Sequence, residues 1–187
     1  MAPRRNFKRA ATIDIARRKN RNPVKQQVFI KFVRSGQPGN ATKGAVGVLT
    51  TANDWLMSAD VGEKLDFPRD ICTTNLRPDI VIWSKHTKQV LLVELTVPWE
   101  SRMEEAHERK LAKYQPLIDD CIRNGWRAQN LPIEVGARGF PAKSLWHALG
   151  VLGILGRERK SLLSRVSKKA EEASSWIWRK RLEQWKR

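Results

Sequence analysis

The sequence predicts a single α/β domain, because two strand-like apolar runs are followed by segments with helical periodicity. Residues 77–83 are rich in β-branched and aromatic side chains, as in a strand, and the proline near the start of the run is tolerated there. Residues 89–97 are almost continuously apolar, which is typical of a central strand buried on both faces. A turn at residues 84–87 joins the two runs into a predicted hairpin. A chain of 187 residues with 41% hydrophobic content is long enough for one packed core.

Spacing of apolar residues predicts the elements around this hairpin. A short helix is expected from Asp54 until Pro68 ends the segment. Further helices are expected over residues 102–123 and 143–155, with a strand at 133–136 between them. The core order is therefore strand, strand, helix, strand, helix, which favours an α/β fold.

The long helix carries two local signals. Ser101 and Glu104 match a capping box at its start. Pro116 lacks the backbone N–H that a helix interior needs, so the helix should be kinked or divided there.

Composition divides the chain into three expected parts. Residues 1–44 are a basic, disordered arm, 45–156 are the core, and 157–187 are a basic C-terminal helix that contains tryptophans. The arm is equally compatible with direct DNA contact and with a poorly ordered leader or a fragment of a longer polyprotein. In the C-terminal helix, Trp176 is expected to pack onto the core rather than to stack on unpaired bases.

The charge points to a polyanionic partner. Lys and Arg number 36 against 19 Asp and Glu, for a formal net charge of +17 and a pI near 10.6. Nucleic acid is the expected partner, because basic proteins gain free energy by releasing counterions from phosphates. No apolar run is long enough for a membrane span, so no membrane partner is expected.

Several other functions are disfavoured by missing motifs. The sequence has neither a Gly-x-Ser-x-Gly elbow nor a Gly-x-x-x-x-Gly-Lys phosphate loop, which argues against nucleophilic catalysis and ATP hydrolysis. Cys72 and Cys121 are too few for a zinc site and are expected to be buried thiols. The basic N-terminus lacks the apolar core of a secretory signal, so we expect an intracellular, nuclear protein.

Asp79 and Glu94 are the candidate metal ligands. Asp79 stands near the start of the first predicted strand and Glu94 near the end of the second, so a hairpin places them side by side. Two adjacent buried carboxylates repel each other, and a hard divalent cation such as Mg²⁺ relieves that repulsion. The alternative is a structural ion pair between Glu94 and a basic side chain.

The long helix offers a candidate cation. At 100° per residue, Lys110 falls on an otherwise mostly apolar stripe, where its ammonium could reach the two carboxylates. Lys113 lies at the edge of the stripe and is the weaker candidate. Alternatively, Lys110 extends past its neighbours to solvent. The stripe consists of Met103, His107, Lys110, Leu111, Tyr114, Leu117, Ile118 and Cys121.

Three short motifs together resemble a known family. They are Arg77-Pro78-Asp79, Glu94-Leu95-Thr96 and Lys110-Leu111-Ala112-Lys113-Tyr114. The combination is similar to the restriction-like endonuclease domain of site-specific non-LTR retrotransposons, within the PD-(D/E)XK nuclease superfamily, over roughly residues 54–150. The resemblance implies a restriction-endonuclease-like core, with a mixed central sheet flanked by helices.

The resemblance also implies roles for particular residues. In that superfamily the aspartate and the glutamate are metal ligands, so Asp79 and Glu94 would hold Mg²⁺ or Mn²⁺. A lysine two residues after the glutamate assists catalysis, but Thr96 occupies that position here. The Lys-x-x-x-Tyr pattern of the retrotransposon enzymes implies that Lys110 and Tyr114 act in its place, and the Thr96 hydroxyl could orient water.

The implied activity is in-line hydrolysis of a DNA phosphodiester by the nicking domain of a retroelement. Arg77 and Lys113 are candidates for contact with the nucleic acid. Glu100 or Glu134 could complete the site, although a solvated carboxylate is commoner at such positions. RNA or a reverse transcriptase of the same element are further possible partners.

Two other functions fit the same sequence. The chain could be a catalytically inactive nucleic-acid-binding module on the nuclease scaffold, as the missing strand lysine suggests. It could also be a metal-free interaction protein whose basic segments bind RNA.

Overall fold

The computed structural model describes residues 47–60 and 65–184, in which a four-stranded sheet is flanked by helices. The strands are β1 (Leu56–Ala59), β2 (Ile80–Ser84), β3 (Gln89–Thr96) and β4 (Arg127–Glu134), and they lie side by side in that order. β1 and β2 are antiparallel, as are β2 and β3, whereas β3 and β4 are parallel. The prediction of an α/β fold with a mixed sheet is confirmed. The arm predicted over residues 1–44 lies outside the described residues.

Three α-helices cover this sheet. They are α1 (Met103–Arg123), α2 (Lys143–Val151) and α3 (Gly156–Gln184), and short 3₁₀ turns occupy Val48–Thr50 and Glu100–Arg102. α1 connects β3 to β4, since parallel strands need a long crossover connection. No helix in the described ranges is both long and apolar enough to cross a membrane.

The two faces of the sheet bury different clusters, because side chains alternate along each strand. One face packs against α1, with Val81, Val90 and Leu92 of the strands contacting helix residues that include Tyr114 and Leu117. The opposite face packs against α2 and α3. Its buried strand residues include Ile80, Ile82, Leu91, Val93, Leu95, Leu131 and Ile133.

The helix predicted from Asp54 is wrong, because residues 56–59 form β1 instead. Trp55, Met57 and Ala59 all pack against the α2 side of the sheet, which is the two-residue period of a strand. In so short a segment the same apolar residues also fit a helical spacing, and pairing with β2 decides between the two.

One of the two signals at the long helix was also misleading. Arg102 is the N-cap residue of α1 and no side chain caps this end, so the predicted capping box is absent. Ser101 lies instead within the preceding 3₁₀ turn. Pro116 stands inside α1, but the helix is continuous over 21 residues rather than divided.

Two boundaries differ from the prediction. β4 begins at Arg127, six residues before the predicted start, because its polar first half pairs with β3. α2 ends at Val151 rather than at residue 155, and Gly153 follows with φ of +80°. α3 runs from Gly156 to Gln184, and the packing expected for Trp176 on this helix is wrong, since this residue is 45% exposed.

Candidate active site

Asp79 and Glu94 lie opposite each other at one end of the β2–β3 hairpin. Ile80 pairs with Val93, so the two acidic residues occupy the next position of the antiparallel ladder. Glu94 Oε1 accepts a hydrogen bond from the Asp79 backbone N–H at 2.9 Å, and Asp79 Oδ2 accepts one from the Leu95 N–H at 2.8 Å. Both side chains are buried. The structure thus brings together the two carboxylates that the hairpin prediction places side by side.

Lys110 extends from α1 to this pair. Its Nζ lies 2.5 Å from Glu94 Oε2, and the lysine side chain is only 13% exposed. The contact agrees with the predicted reach of Lys110, and it is equally the buried ion pair that the alternative for Glu94 requires. Loss of one partner from such a pair leaves a buried charge uncompensated, at a cost of about 3–5 kcal/mol.

Tyr114 lies one turn further along α1 and is fully buried. Its hydroxyl donates to the Arg77 carbonyl oxygen at 2.8 Å, and Lys113 Nζ donates to that hydroxyl at 2.9 Å. Burial raises the pKa of Tyr114 well above its ordinary value, and the negative charges of Glu94 and Asp79 raise it further. Tyr114 therefore remains a neutral phenol that holds the chain just before Asp79.

Thr96 stands two residues after Glu94 and lies on the same face of β3. Its Oγ1 is buried and makes no hydrogen bond to any residue that the structure describes. A buried hydroxyl without a partner costs free energy.

The donor set fits a hard divalent cation. Asp79 and Glu94 supply carboxylate oxygens, which are ligands of the kind that Mg²⁺ prefers. No group of three or more His, Cys, Asp or Glu residues in the described ranges is placed to hold a metal ion. The chain therefore offers two carboxylates, and Mg²⁺ commonly keeps several water ligands at such a site.

Glu100 and Glu134 do not join this pair. Glu100 accepts a hydrogen bond from the Arg138 backbone N–H at 2.9 Å and forms an ion pair with its guanidinium at 3.2 Å. The backbone hydrogen bond lowers the pKa of Glu100. Glu134 is 1% exposed and contacts His107 and Ser144. Its burial is contrary to the solvated position expected from the sequence.

Sequence reasoning missed Asp60. Its backbone N–H donates to the Asp79 carbonyl oxygen at 2.9 Å, and its negative charge contributes to the raised pKa of Tyr114. The predicted helix concealed this proximity, since only a strand at residues 56–59 carries Asp60 alongside Asp79. Alternation of apolar and polar residues from Met57 to Asp60 is the signal that would have indicated it.

The remaining candidates lie at the surface beside the pair. Arg77 and Lys113 are both exposed. Comparison of the chain with protein-family models and with curated proteins finds no match. The resemblance to restriction-like endonuclease domains therefore rests on the three motifs alone.

Proposed function

We propose that the chain is a metal-dependent DNA endonuclease that hydrolyses phosphodiester bonds, as the nicking domain of a retroelement. The observation that carries the proposal is the buried Asp79–Glu94 pair, with the Lys110 ammonium 2.5 Å from Glu94. Carboxylates side by side, with a cation directed at them, are an arrangement that suits phosphoryl transfer.

The two carboxylates would hold the ion. When bound, Mg²⁺ or Mn²⁺ supplies Lewis-acid polarisation of the phosphodiester. The crossed hydrogen bonds between Asp79, Glu94 and Leu95 hold both carboxylates in place before a substrate arrives, so little reorganisation is needed.

Other side chains act on the substrate or on the pair. The Lys110 ammonium stabilises negative charge that develops on the phosphoryl oxygens. The Thr96 hydroxyl, which has no partner among the described residues, orients a water molecule. Tyr114 is a positioning residue, because its buried hydroxyl reaches the Arg77 carbonyl and not the surface.

The charge of the whole chain favours a nucleic-acid substrate. A formal charge of +17 attracts DNA at long range, and Arg77 and Lys113 are exposed beside the carboxylates. RNA or a reverse transcriptase of the same element are further partners that we propose for a retroelement protein.

The test is nicking of supercoiled plasmid with Mg²⁺ or Mn²⁺ by the wild type, Asp79→Asn, Glu94→Gln and Lys110→Met. These substitutions keep the side-chain volume close to native while they remove charge. We expect metal-dependent nicking that falls by at least about 100-fold in each variant. DNA affinity, measured with Ca²⁺ in place of Mg²⁺, should fall far less.

Asp54→Asn is the matched control. Asp54 accepts hydrogen bonds from Ser84 Oγ and the His86 N–H at the opposite end of the same hairpin, so its loss perturbs the hairpin but not the pair. Nicking by all three variants at the rate of this control would rule out the nuclease.

A catalytically inactive nucleic-acid-binding module is the second candidate. Two observations favour it: Thr96 replaces the usual lysine, and both Glu94 oxygens already accept hydrogen bonds from Asp79 and Lys110. Its signature is tight DNA binding without nicking, together with a melting temperature that Mn²⁺ does not raise.

A further inference from the structure

A second polar cluster is centred on Glu134, at the end of β4. Glu134 is 1% exposed, and its Oε2 accepts a hydrogen bond from Ser144 Oγ at 2.6 Å. His107 Nδ1 lies 3.0 Å from the same oxygen. The other oxygen, Oε1, is buried and accepts no hydrogen bond from any residue in the described ranges. A buried carboxylate oxygen in this state is costly and favours a donor from outside the chain.

The cluster lies in the wall of a cavity of about 620 Å³ between α1, β4 and α2. This volume is within the range of small-molecule sites. Asp79 and Glu94 do not line the cavity, so it is separate from the proposed metal site. Several of its other walls are apolar, and they are formed by Met103, Leu111, Leu131, Pro132 and Ala148.

A second acceptor lies further along the same strand. Asn130 also lines the cavity, and its Oδ1 is buried without a hydrogen-bond partner among the described residues. Its Nδ2 already donates to the Lys110 carbonyl oxygen at 3.2 Å, which leaves Oδ1 as the remaining polar atom. Both unpartnered atoms are acceptors, so the ligand that fits the cavity is one that supplies hydrogen-bond donors.

We propose that this cavity binds an amino-bearing nucleobase, whose N–H group donates to Glu134 Oε1 while its ring packs between the apolar walls. The buried Glu134 carboxylate disfavours a phosphate at this oxygen, and Lys143, His107 and His147 also line the cavity. A planar base suits apolar walls with one polar edge, as in other sites that read an unstacked base. The strong positive charge of the chain favours nucleic acid over a cationic peptide.

The position of the cavity makes it a site of base recognition. His107 of the cavity and Lys110 of the proposed active site lie three residues apart on α1, which is about one helical turn. This step rests on the proposed function: the base that the cavity binds is one near the phosphodiester bond that is cut. The cavity would then contribute to the choice of cleavage site.

Methyl NMR of the full chain tests base binding without any cleavage. The chain has three methionines, of which Met103 lines the cavity and Met57 lies on β1, at the edge of the sheet opposite β4. The probes are deoxyadenosine, deoxycytidine and deoxyguanosine, which carry no phosphate. We expect at least one of them to shift the Met103 methyl signal and not that of Met57, with Met103→Leu giving the assignment.

Two comparisons test the role of the N–H donor. The N,N-dimethyl form of the best-bound base (its amino group without hydrogens) should bind at least about tenfold more weakly to the wild type, the effect of one hydrogen bond to a charged group. Glu134→Gln should weaken binding by a similar factor, whereas Glu108→Gln, an exposed glutamate of α1 outside the cavity, should not. The first comparison needs no variant and so does not depend on how Glu134→Gln folds.

Three outcomes would overturn the inference: no shift at Met103, equal binding of the dimethylated base, or a larger shift with free arginine than with any nucleoside. Single-stranded and duplex oligonucleotides, added in parallel, show whether the base comes from a strand or from a free nucleoside. Nucleoside binding without plasmid nicking would refute the proposed function alone, and nicking without nucleoside binding would refute this inference alone.

Discussion

Lys110 and Tyr114 lie one helical turn apart on α1, yet their contacts give them different tasks. Lys110 ends on Glu94, so it bears directly on the charge of the carboxylate pair. Tyr114 ends on the Arg77 carbonyl oxygen and is fully buried. At the scale of residues, the two side chains of the Lys-x-x-x-Tyr pattern therefore have different tasks. Lys110 faces the carboxylate pair, and Tyr114 supports the backbone just before Asp79.

Replacement of Tyr114 by phenylalanine tests this division. The variant leaves the Arg77 carbonyl without its donor, so the free energy of unfolding should fall by about 1–3 kcal/mol. Nicking should fall much less than in Lys110→Met, because no group that touches the substrate is lost. Plasmid nicking and thermal denaturation of the two variants give the comparison. Loss of nicking in Tyr114→Phe at native stability would instead make the phenol a catalytic group.

Cys121 links stability to pH. Burial raises the pKa of this thiol from 9.0 to about 12. Above pH 9 the unfolded thiol releases its proton while the folded one retains it, so the free energy of unfolding should fall as pH rises from 9 toward 12. The slope from this group is at most about 1.4 kcal/mol per pH unit. Urea denaturation between pH 8 and 10 should show the decline in the wild type and a smaller one in Cys121→Ala.

At the scale of elements, long uniform patterns were predictable and short ones were not. The apolar run over residues 89–97 and the long periodic stretch of α1 each admit one structure, and both were predicted within a residue or two. β1 is four residues long, so its pattern fits a helix equally well. The first half of β4 is mostly polar and only partly buried, so no apolar periodicity identifies it as a strand.

The candidate site was likewise predictable only in part. The meeting of Asp79 and Glu94 was predictable because a tight hairpin fixes the register of its two strands. The cluster of Glu134, His107 and Ser144 was not, since it joins β4 to two helices whose relative placement depends on packing. The proximity of Asp60 to Asp79 was missed because the segment of β1 was predicted as a helix.

Pro116 offers a test at this scale. It lies at an exposed position within the continuous helix α1, where a proline is about 3 kcal/mol less favourable than alanine. Pro116→Ala should therefore raise the free energy of unfolding by about 1–3 kcal/mol in chemical denaturation. Glu108→Ala, another exposed position of α1, should change it by less than about 0.5 kcal/mol. An unstable alanine variant would mean that the proline shapes the helix for its packing.

At the scale of the whole molecule, a backbone contact joins the two ends of the described core. A Cβ added to Gly47 would lie 2.1 Å from the Cα of Gly153, in the connection between α2 and α3. No real contact is so short, so the first described residue is packed directly against the backbone of this connection. The two glycines bring together segments more than 100 residues apart in the chain.

Gly47→Ala should lower the free energy of unfolding by about 2–3 kcal/mol, as expected when a backbone must shift to admit a methyl group. Gly125→Ala is the control for conformation alone, because Gly125 has φ of +79° but open space around its Cβ position. The free energy of unfolding of that variant should fall by about 1 kcal/mol. Thermal denaturation compares the two, and a native melting temperature in Gly47→Ala would show that the contact does not persist in solution.

The crossover between β3 and β4 also has a kinetic consequence. The β2–β3 hairpin needs only contacts between near neighbours in the chain, whereas β3 and β4 pair across the whole crossover that contains α1. A chain that closes its hairpin first brings Asp79 and Glu94 together before the Lys110 ammonium arrives. Repulsion between the two carboxylates would then slow the early steps of folding.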